Sequence, residues 1–266
     1  MKRAFLLGLC LAWPGLAADG PPDENLVNRF EARISKDSSG KSIPYRLFKP
    51  RAYDSAQEYP LVLILHGAAG LGTDNKNQFA GGNQVPVEVL TREENQGKYP
   101  CFILAPQCPR TGSWAGYFNQ STDAMRLSLA ALKAVQNEFN IDAQRLCVVG
   151  LSMGGSGVWD LIAREPKLFA AAVPICGAGN PAKAPLFAQQ NIWCFHGEKD
   201  PLVDVAYARR MIAAIKKGGG HPKYTEYAGV GHNSYVNAFN EPELLPWLFS
   251  QKRNELLSKA RLAPPK

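Results

Sequence analysis

Long apolar runs, metal-type spacings and clustered charge are all scarce in this chain, and each scarcity removes a class of function. The four histidines and six cysteines of the 266 residues form no zinc-ligand spacing, which argues against a zinc finger or ribbon. Basic residues outnumber acidic ones, 30 to 23, yet no Lys/Arg run with interleaved aromatics marks a nucleic-acid face. No Ser/Gly-rich linker interrupts the chain, so residues 19–251 are expected to form one domain. What is present is ordinary globular material: 45% hydrophobic, 10% aromatic and 20% charged residues, enough for a sizeable core.

The N-terminus departs from that average. Met1-Lys2-Arg3, an apolar segment and the small residues Gly15-Leu16-Ala17-Ala18 read as a secretory signal peptide over residues 1–17, cleaved after Ala17. The apolar segment is too short to span a bilayer and contains Pro14, so no membrane insertion is expected after cleavage. Cys10 is a poor lipidation site, because Leu9 precedes it where a small residue is needed. Without Lys2 and Arg3, 28 basic residues face 23 acidic ones, a mild net charge of +5. Export is therefore expected, to the periplasm or beyond the cell. Five cysteines remain, Cys101, Cys108, Cys147, Cys176 and Cys194, which allow two disulfides at most. Cys101, Cys147 and Cys194 sit in apolar runs as small buried hydrophobes do.

Along the mature chain, two short strand-like segments flank the turn-forming residues Lys36 to Lys41, which predicts an N-terminal antiparallel hairpin. Tyr59 to Leu65 is continuously apolar, as expected of a strand covered on both faces. Shorter apolar runs recur at 101–105, 145–149, 170–175 and 192–195, with a final strand at 222–227. Helical spacing fills the gaps. The clearest stripe is Met125, Leu129, Leu132, Val135 and Phe139, which predicts a helix over 122–139 capped by Ser121 or Thr122. Further helices are predicted over 153–164, 205–217 and 241–255. This alternation predicts an α/β fold, a mostly parallel sheet with helices on both faces and functional loops at the strand C-terminal ends. The basic, proline-ended segment 252–266 is expected to fray.

One strand signal ends in chemistry. Leu146-Cys147-Val148-Val149 runs into Gly150-Leu151-Ser152-Met153-Gly154, a Gly-x-Ser-x-Gly pattern at a strand-to-helix turn. Such a turn lifts a serine into a strained, exposed position, and the flanking glycines admit close chain approach. A nucleophilic serine needs a histidine to take its proton and a carboxylate to orient that histidine. His232 lies in a glycine-bounded loop after the final strand, and Asp200 lies just beyond the penultimate one, giving the chain order Ser152, Asp200, His232. Each residue alone has an innocent reading, His232 as a loop histidine and Asp200 as a turn former before Pro201. The shared order and placement favour a site.

Those segments, with Leu65-His66-Gly67-Ala68, Ala105-Pro106-Gln107-Cys108-Pro109, His196-Gly197-Glu198-Lys199-Asp200 and Gly231-His232, resemble the α/β-hydrolase superfamily. The likeness is to its secreted esterase and predicted-peptidase branch, with dienelactone-hydrolase-like, polyhydroxybutyrate-depolymerase-like and feruloyl-esterase-like members. It covers nearly the whole mature chain. The resemblance implies that His232 takes the Ser152 proton, that Asp200 holds His232, and that an acyl-enzyme forms without a cofactor or metal. It implies an oxyanion hole of the Ala68 and Met153 backbone amides, with Ala69 as second choice for Ala68. Glu198 is the alternative acid. His66 reads as a loop-shaping residue rather than a second base. Trp114, and with it His66 and Gln107, are the candidates for contact with substrate, although an aromatic such as Trp114 serves equally well to pin its loop to the core. Trp159 reads as core.

Only about fifteen residues, 177–191, separate two strands where this fold often inserts a cap, so no large cap domain is expected. An open cleft suits bulky or polymeric esters, with 110–118 as one wall and 70–82, including Asp74 and Asn75, as the other unless its polar residues are simply solvated. The expected activity is a secreted serine carboxylesterase for short-chain or aromatic acyl esters, polysaccharide-linked or in a polyester. A serine peptidase and a non-catalytic binding module are the rival readings. Oligomeric state and substrate identity are not written in the sequence.

Overall fold

A computed structural model describes residues 20–116 and 120–253. The expected signal peptide and residues 254–266 of the expected tail lie outside this range. The described start of that tail is anchored, because the Arg253 amide donates to the Gln144 carbonyl at 2.9 Å.

In chain order, a short helix α1 (Glu24–Val27) precedes the hairpin β1 (Glu31–Lys36) and β2 (Ser42–Phe48), after which β3 (Tyr59–Leu65) enters the core. A loop with three 3-10 turns leads to α2 (Gln84–Thr91) and α3 (Glu93–Lys98), then β4 (Phe102–Pro106), α4 (Asp123–Glu138), β5 (Ile141–Leu151) and α5 (Met153–Arg164). The rest is β6 (Ala171–Ile175), β7 (Trp193–Gly197), α6 (Ala206–Lys217), β8 (Lys223–Tyr227), α7 (Ser234–Asn240) and α8 (Leu244–Ser250). The eight strands form one sheet in the order β1-β2-β4-β3-β5-β6-β7-β8. The β1–β2 and β2–β4 pairs are antiparallel, and every pair from β4 to β8 is parallel.

The period-2 alternation of β3 divides the core. Leu61, Leu63 and Leu65 pack on one face with residues of α4, α5 and α6, while Val62 and Ile64 pack on the other with α2, α7 and α8. Both faces are covered, which is why β3 is uniformly apolar. Chain order reverses between β3 and β5, since β4 lies on one side of β3 and β5 on the other. In an open parallel sheet the crevice at such a switch point, outside the strand C-terminal ends, is where ligands bind.

The predicted helix over 241–255 is corrected to the shorter α8, Leu244–Ser250, and a further short helix, α7, precedes it. Pro242 lies between them and lacks the amide needed to continue a helix. The five described cysteines are buried and free. Among the described residues, no helix is long and apolar enough to cross a membrane.

Candidate active site

Ser152 occupies the first position after β5, with φ +53° and ψ −115°, and α5 begins at the next residue. A positive φ is costly for a residue with a side chain and persists only where neighbours over-determine it. Here the Ser152 amide donates to the Ile175 carbonyl on β6 at 2.9 Å. The glycines supply the clearance: a Cβ on Gly150 would strike the Gly154 carbonyl, and one on Gly154 would strike the Leu65 carbonyl at the end of β3. The strand-to-helix turn therefore presses against the loop that follows β3.

Asp200 follows β7 and His232 lies between β8 and α7, so the ends of β5, β7 and β8 converge. His232 Nδ1–H donates to Asp200 Oδ2 at 2.8 Å, and His232 Nε2 accepts the Ser152 hydroxyl at 2.9 Å. The row runs from an Asp200 side chain with no exposure to a His232 side chain that is 19% exposed. Asp200 Oδ1 accepts the Leu202 and Val203 amides, both at 2.9 Å. Burial opposes the Asp200 charge, but His196, His232 and the two amides outweigh it and hold the carboxyl far below the usual range.

His196 is a participant that sequence reasoning passed over. Fully buried on β7, its Nε2 lies 2.8 Å from the Val203 carbonyl and 3.3 Å from Asp200 Oδ2, so one N–H serves two acceptors. The four-residue spacing across a tight turn was the available signal. Glu198 is engaged elsewhere, accepting the Gly229 amide at 2.8 Å.

The two amides expected in the oxyanion hole border the Ser152 turn. Met153 is the first residue of α5, so its N–H has no intrahelical acceptor. Ala68 opens a 3-10 turn behind Gly67, and a Cβ on Gly67 would lie 3.5 Å from Ser152 Cβ. Asn83, another residue missed in the sequence, fixes this loop: its buried Oδ1 accepts the Gly67 amide at 2.6 Å. Ala68 and Ala69 are both exposed.

The three proposed substrate contacts are corrected by their burial. Trp114 has no exposed surface and His66 and Gln107 have almost none. Trp114 Nε1 donates to the His66 carbonyl at 2.9 Å, and its ring meets the His66 ring edge-on. His66 Nδ1–H donates to the Gly67 carbonyl at 2.7 Å, while its Nε2 accepts the Cys108 amide at 2.9 Å. Both ring nitrogens are spent, and burial pushes the imidazole down to about 4. Gln107 donates to Asp74 at 2.9 Å and accepts the Asn75 amide at 2.6 Å. All three shape the loops beneath the site. Asp74 and Asn75, expected in a wall, are likewise turned into that network. Of the other expected wall, Tyr117 and Phe118 lie outside the described residues.

The link from β6 to β7 carries one 3-10 helix (Pro181–Leu186) and no cap domain. Donor atoms of Cys176, Asp200 and His232 lie within 4.8 Å of one another, but the carboxylate and imidazole are already bonded to each other. The arrangement can hand a serine proton to an imidazole backed by a carboxylate, beside two amides able to meet an oxyanion.

Comparison with known proteins finds relatives among hydrolases and esterases. The family described as "Dienelactone hydrolase family" matches residues 48–244. "Probable feruloyl esterase C" of Aspergillus terreus (strain NIH 2624 / FGSC A1156) is 26% identical over 183 residues, 66% of this chain and 62% of that protein. The crystal structure of a thermostable esterase is 38% identical with a TM-score of 0.81, over 86% of this chain and 64% of that one. A ferulic acid esterase from Anaeromyces mucronatus, solved with ferulic acid, shares the fold at 13% identity and a TM-score of 0.55, over 82% of this chain and 91% of that one. The chain thus spans less than two thirds of the length of the first two relatives.

Proposed function

The chain belongs to the dienelactone hydrolase family of the α/β-hydrolase superfamily, and from that premise we propose that it is an exported serine carboxylesterase. The observation that carries the reading is the hydrogen-bonded row Ser152–His232–Asp200 at a strained strand-to-helix turn. His232 Nε2 takes the Ser152 proton as Oγ attacks the ester carbonyl. The Ala68 and Met153 amides meet the oxyanion, each donor contributing roughly 3 to 4 kcal/mol to the transition state. Protonated His232 then returns its proton to the leaving alkoxide, and an acyl-Ser152 ester remains. A water deprotonated by His232 releases the acid.

Short-chain and aromatic acyl esters are the proposed substrates. The 26% identity to a probable feruloyl esterase supports the aromatic group, and the short uncapped link after β6 supports access for bulky alcohols. The signal-like residues 1–17 support export. A panel of chromogenic acyl esters, with a serine-directed phosphonate, tests the reading. We expect turnover, phosphonate labelling at Ser152, and a loss on the order of 10⁴-fold or more in Ser152→Ala. Labelling elsewhere, or peptide cleavage with negligible ester turnover, would overturn it.

A further inference from the structure

Asn83 stands immediately before α2 and leaves that helix uncapped. An asparagine in this position ordinarily has extended backbone and turns its side-chain oxygen to the second or third amide of the helix. Here Asn83 has helical φ −68° and ψ −21° and makes no such bond. Its Oδ1 instead accepts the Gly67 amide, 16 residues away in sequence, at 2.6 Å. Both ends of this bond are buried, with Asn83 only 3% exposed. Local capping has been given up for a contact with the loop after β3.

Two parts of the site meet at this side chain. Gly67 directly precedes Ala68, one of the two amides expected in the oxyanion hole, and its backbone is extended, with φ −73° and ψ 178°. A Cβ on Gly67 would lie 3.3 Å from Asn83 Oδ1 and 3.5 Å from both the Leu151 carbonyl and Ser152 Cβ. Asn83 and the nucleophile therefore bracket Gly67. The 3-10 turn Gly81–Asn83 also packs on α7, because a Cβ on Gly82 would strike the Tyr235 ring. Tyr235 follows His232 by three residues. The turn is thus wedged between the segment that carries the base and the loop that carries the Ala68 amide.

We propose that Asn83 is a positioning residue that sets the Ala68 amide of the oxyanion hole, and that it must be an uncharged acceptor to do so. Any acceptor would tie down Gly67, and an ionised aspartate would do so more strongly. Charge separates the two. Between Asn83 Oδ1 and an oxyanion on the Ala68 amide lie the 2.6 Å bond to Gly67, one residue of backbone and one hydrogen bond of ordinary length, at most about 9 Å in all. At an effective dielectric of about 20, a negative charge at that distance opposes the oxyanion by about 20-fold in rate. A carboxamide holds the loop without that opposition. The proposal rests on Ser152 being the nucleophile of an esterase, and concerns how its oxyanion is met.

The test compares the wild type, Asn83→Ala and Asn83→Asp at about pH 8, where a carboxyl that accepts an amide is ionised. Steady-state kinetics on a chromogenic acyl ester are measured with thermal unfolding and with inhibition by an arylboronic acid, whose serine adduct is tetrahedral and anionic. Asn83→Ala leaves the Gly67 amide buried without a partner and should unfold at lower temperature. Its kcat should fall about 10- to 100-fold with KM within about twofold. Asn83→Asp keeps the acceptor and should recover the stability but not the rate, with kcat at least about tenfold below wild type and boronate inhibition weakened in proportion. Wild-type kcat in Asn83→Ala, or a loss confined to KM, would overturn the proposal. So would full recovery of kcat in Asn83→Asp, which a purely structural bond predicts. Phosphonate labelling of the wild type separates the two readings. Labelling at a residue other than Ser152 overturns the esterase reading and this proposal with it, whereas labelling at Ser152 with unaltered kcat in both variants overturns this proposal alone.

Discussion

Gly154→Ala puts a single methyl group where the strand-to-helix turn presses on the end of β3. The added Cβ would fall more than an ångström inside the 3.0 Å that real Cβ atoms respect, against the Leu65 carbonyl, and at 2.9 Å from the His66 carbonyl. Both obstacles are backbone, so no side chain can swing aside. The relief must come from moving α5, which carries the Met153 amide, away from residues 65–68, which carry the Ala68 amide. Overpacking of this kind costs about 1 to 3 kcal/mol of stability. A displacement near 1 Å at a reacting centre costs about 100-fold in rate. The expected outcome is a folded, less stable variant with kcat down about 100-fold and KM little changed. Gly97→Ala, in α3 with no neighbour within 4 Å of the new Cβ, is the control and should gain about 0.5 to 1 kcal/mol with unchanged turnover. Steady-state kinetics and urea unfolding measure both. Wild-type kcat in Gly154→Ala would refute the idea that this contact sets the spacing between the two amides.

Asp200→Asn should lower kcat by about 10⁴-fold, because the amide permits the wrong His232 tautomer, and a loss below tenfold in a kinetic assay would count against the row. His66 titrates at about 4 when folded against an ordinary value near 6.5, so the unfolded chain binds the extra proton between those values. Its contribution of about 3 kcal/mol is therefore present above pH 6.5 and lost as the pH falls toward 4, and His66→Gln should flatten urea stability across that window. Trp114→Phe removes a buried donor to the His66 carbonyl and should cost about 1 to 3 kcal/mol in thermal or urea unfolding. KM for small esters should stay within about twofold, since a buried ring is not a substrate contact. His196→Phe leaves Asp200 Oδ2 with one imidazole, and the acid limb of the kcat/KM pH profile should move, whereas a residue that only fills space would leave that limb in place.

The parts of this protein legible in the sequence are those where one local pattern suffices. Tyr59–Leu65 and Met153–Arg164 fall at their expected bounds, because a continuous apolar run and a glycine-marked turn each specify their own limits. The C-terminal reading failed by starting its helix at Glu241, before Pro242, where α8 begins only at Leu244, and the helices α2, α3 and α7 were not anticipated. In the site, Ser152, Asp200 and His232 carried signals of order and of position after strands. Asn83 and His196 carried weaker ones, since what marks them is a hydrogen bond across many residues or a tight turn. Trp114 illustrates the same limit. An aromatic in a loop has one sequence signature whether it faces substrate or core, and only the packing of α5 against the end of β3 decides.

That packing also explains why the strained residues sit where they do. Ser152 and Cys176, two of the three described non-glycine residues with positive φ, each take the first position after adjacent parallel strands, β5 and β6. The Ser152 amide donates to the Ile175 carbonyl, and the Cys176 amide donates to the Phe195 carbonyl on β7. Each strained turn is thus tied to the next strand, and β7 continues into the turn that presents Asp200. Asp200 ends the series with two amides and two imidazoles directed at its buried oxygens. A carboxylate so surrounded stays ionised and has no freedom to reorient. In the proposed reaction, the imidazolium formed when His232 takes the serine proton then meets a charge already in place, and the proton stays on His232 until the leaving group needs it. The sheet edge supplies this preorganisation, and the loops at 66–83, 107–116 and 177–183 are left to decide which ester enters.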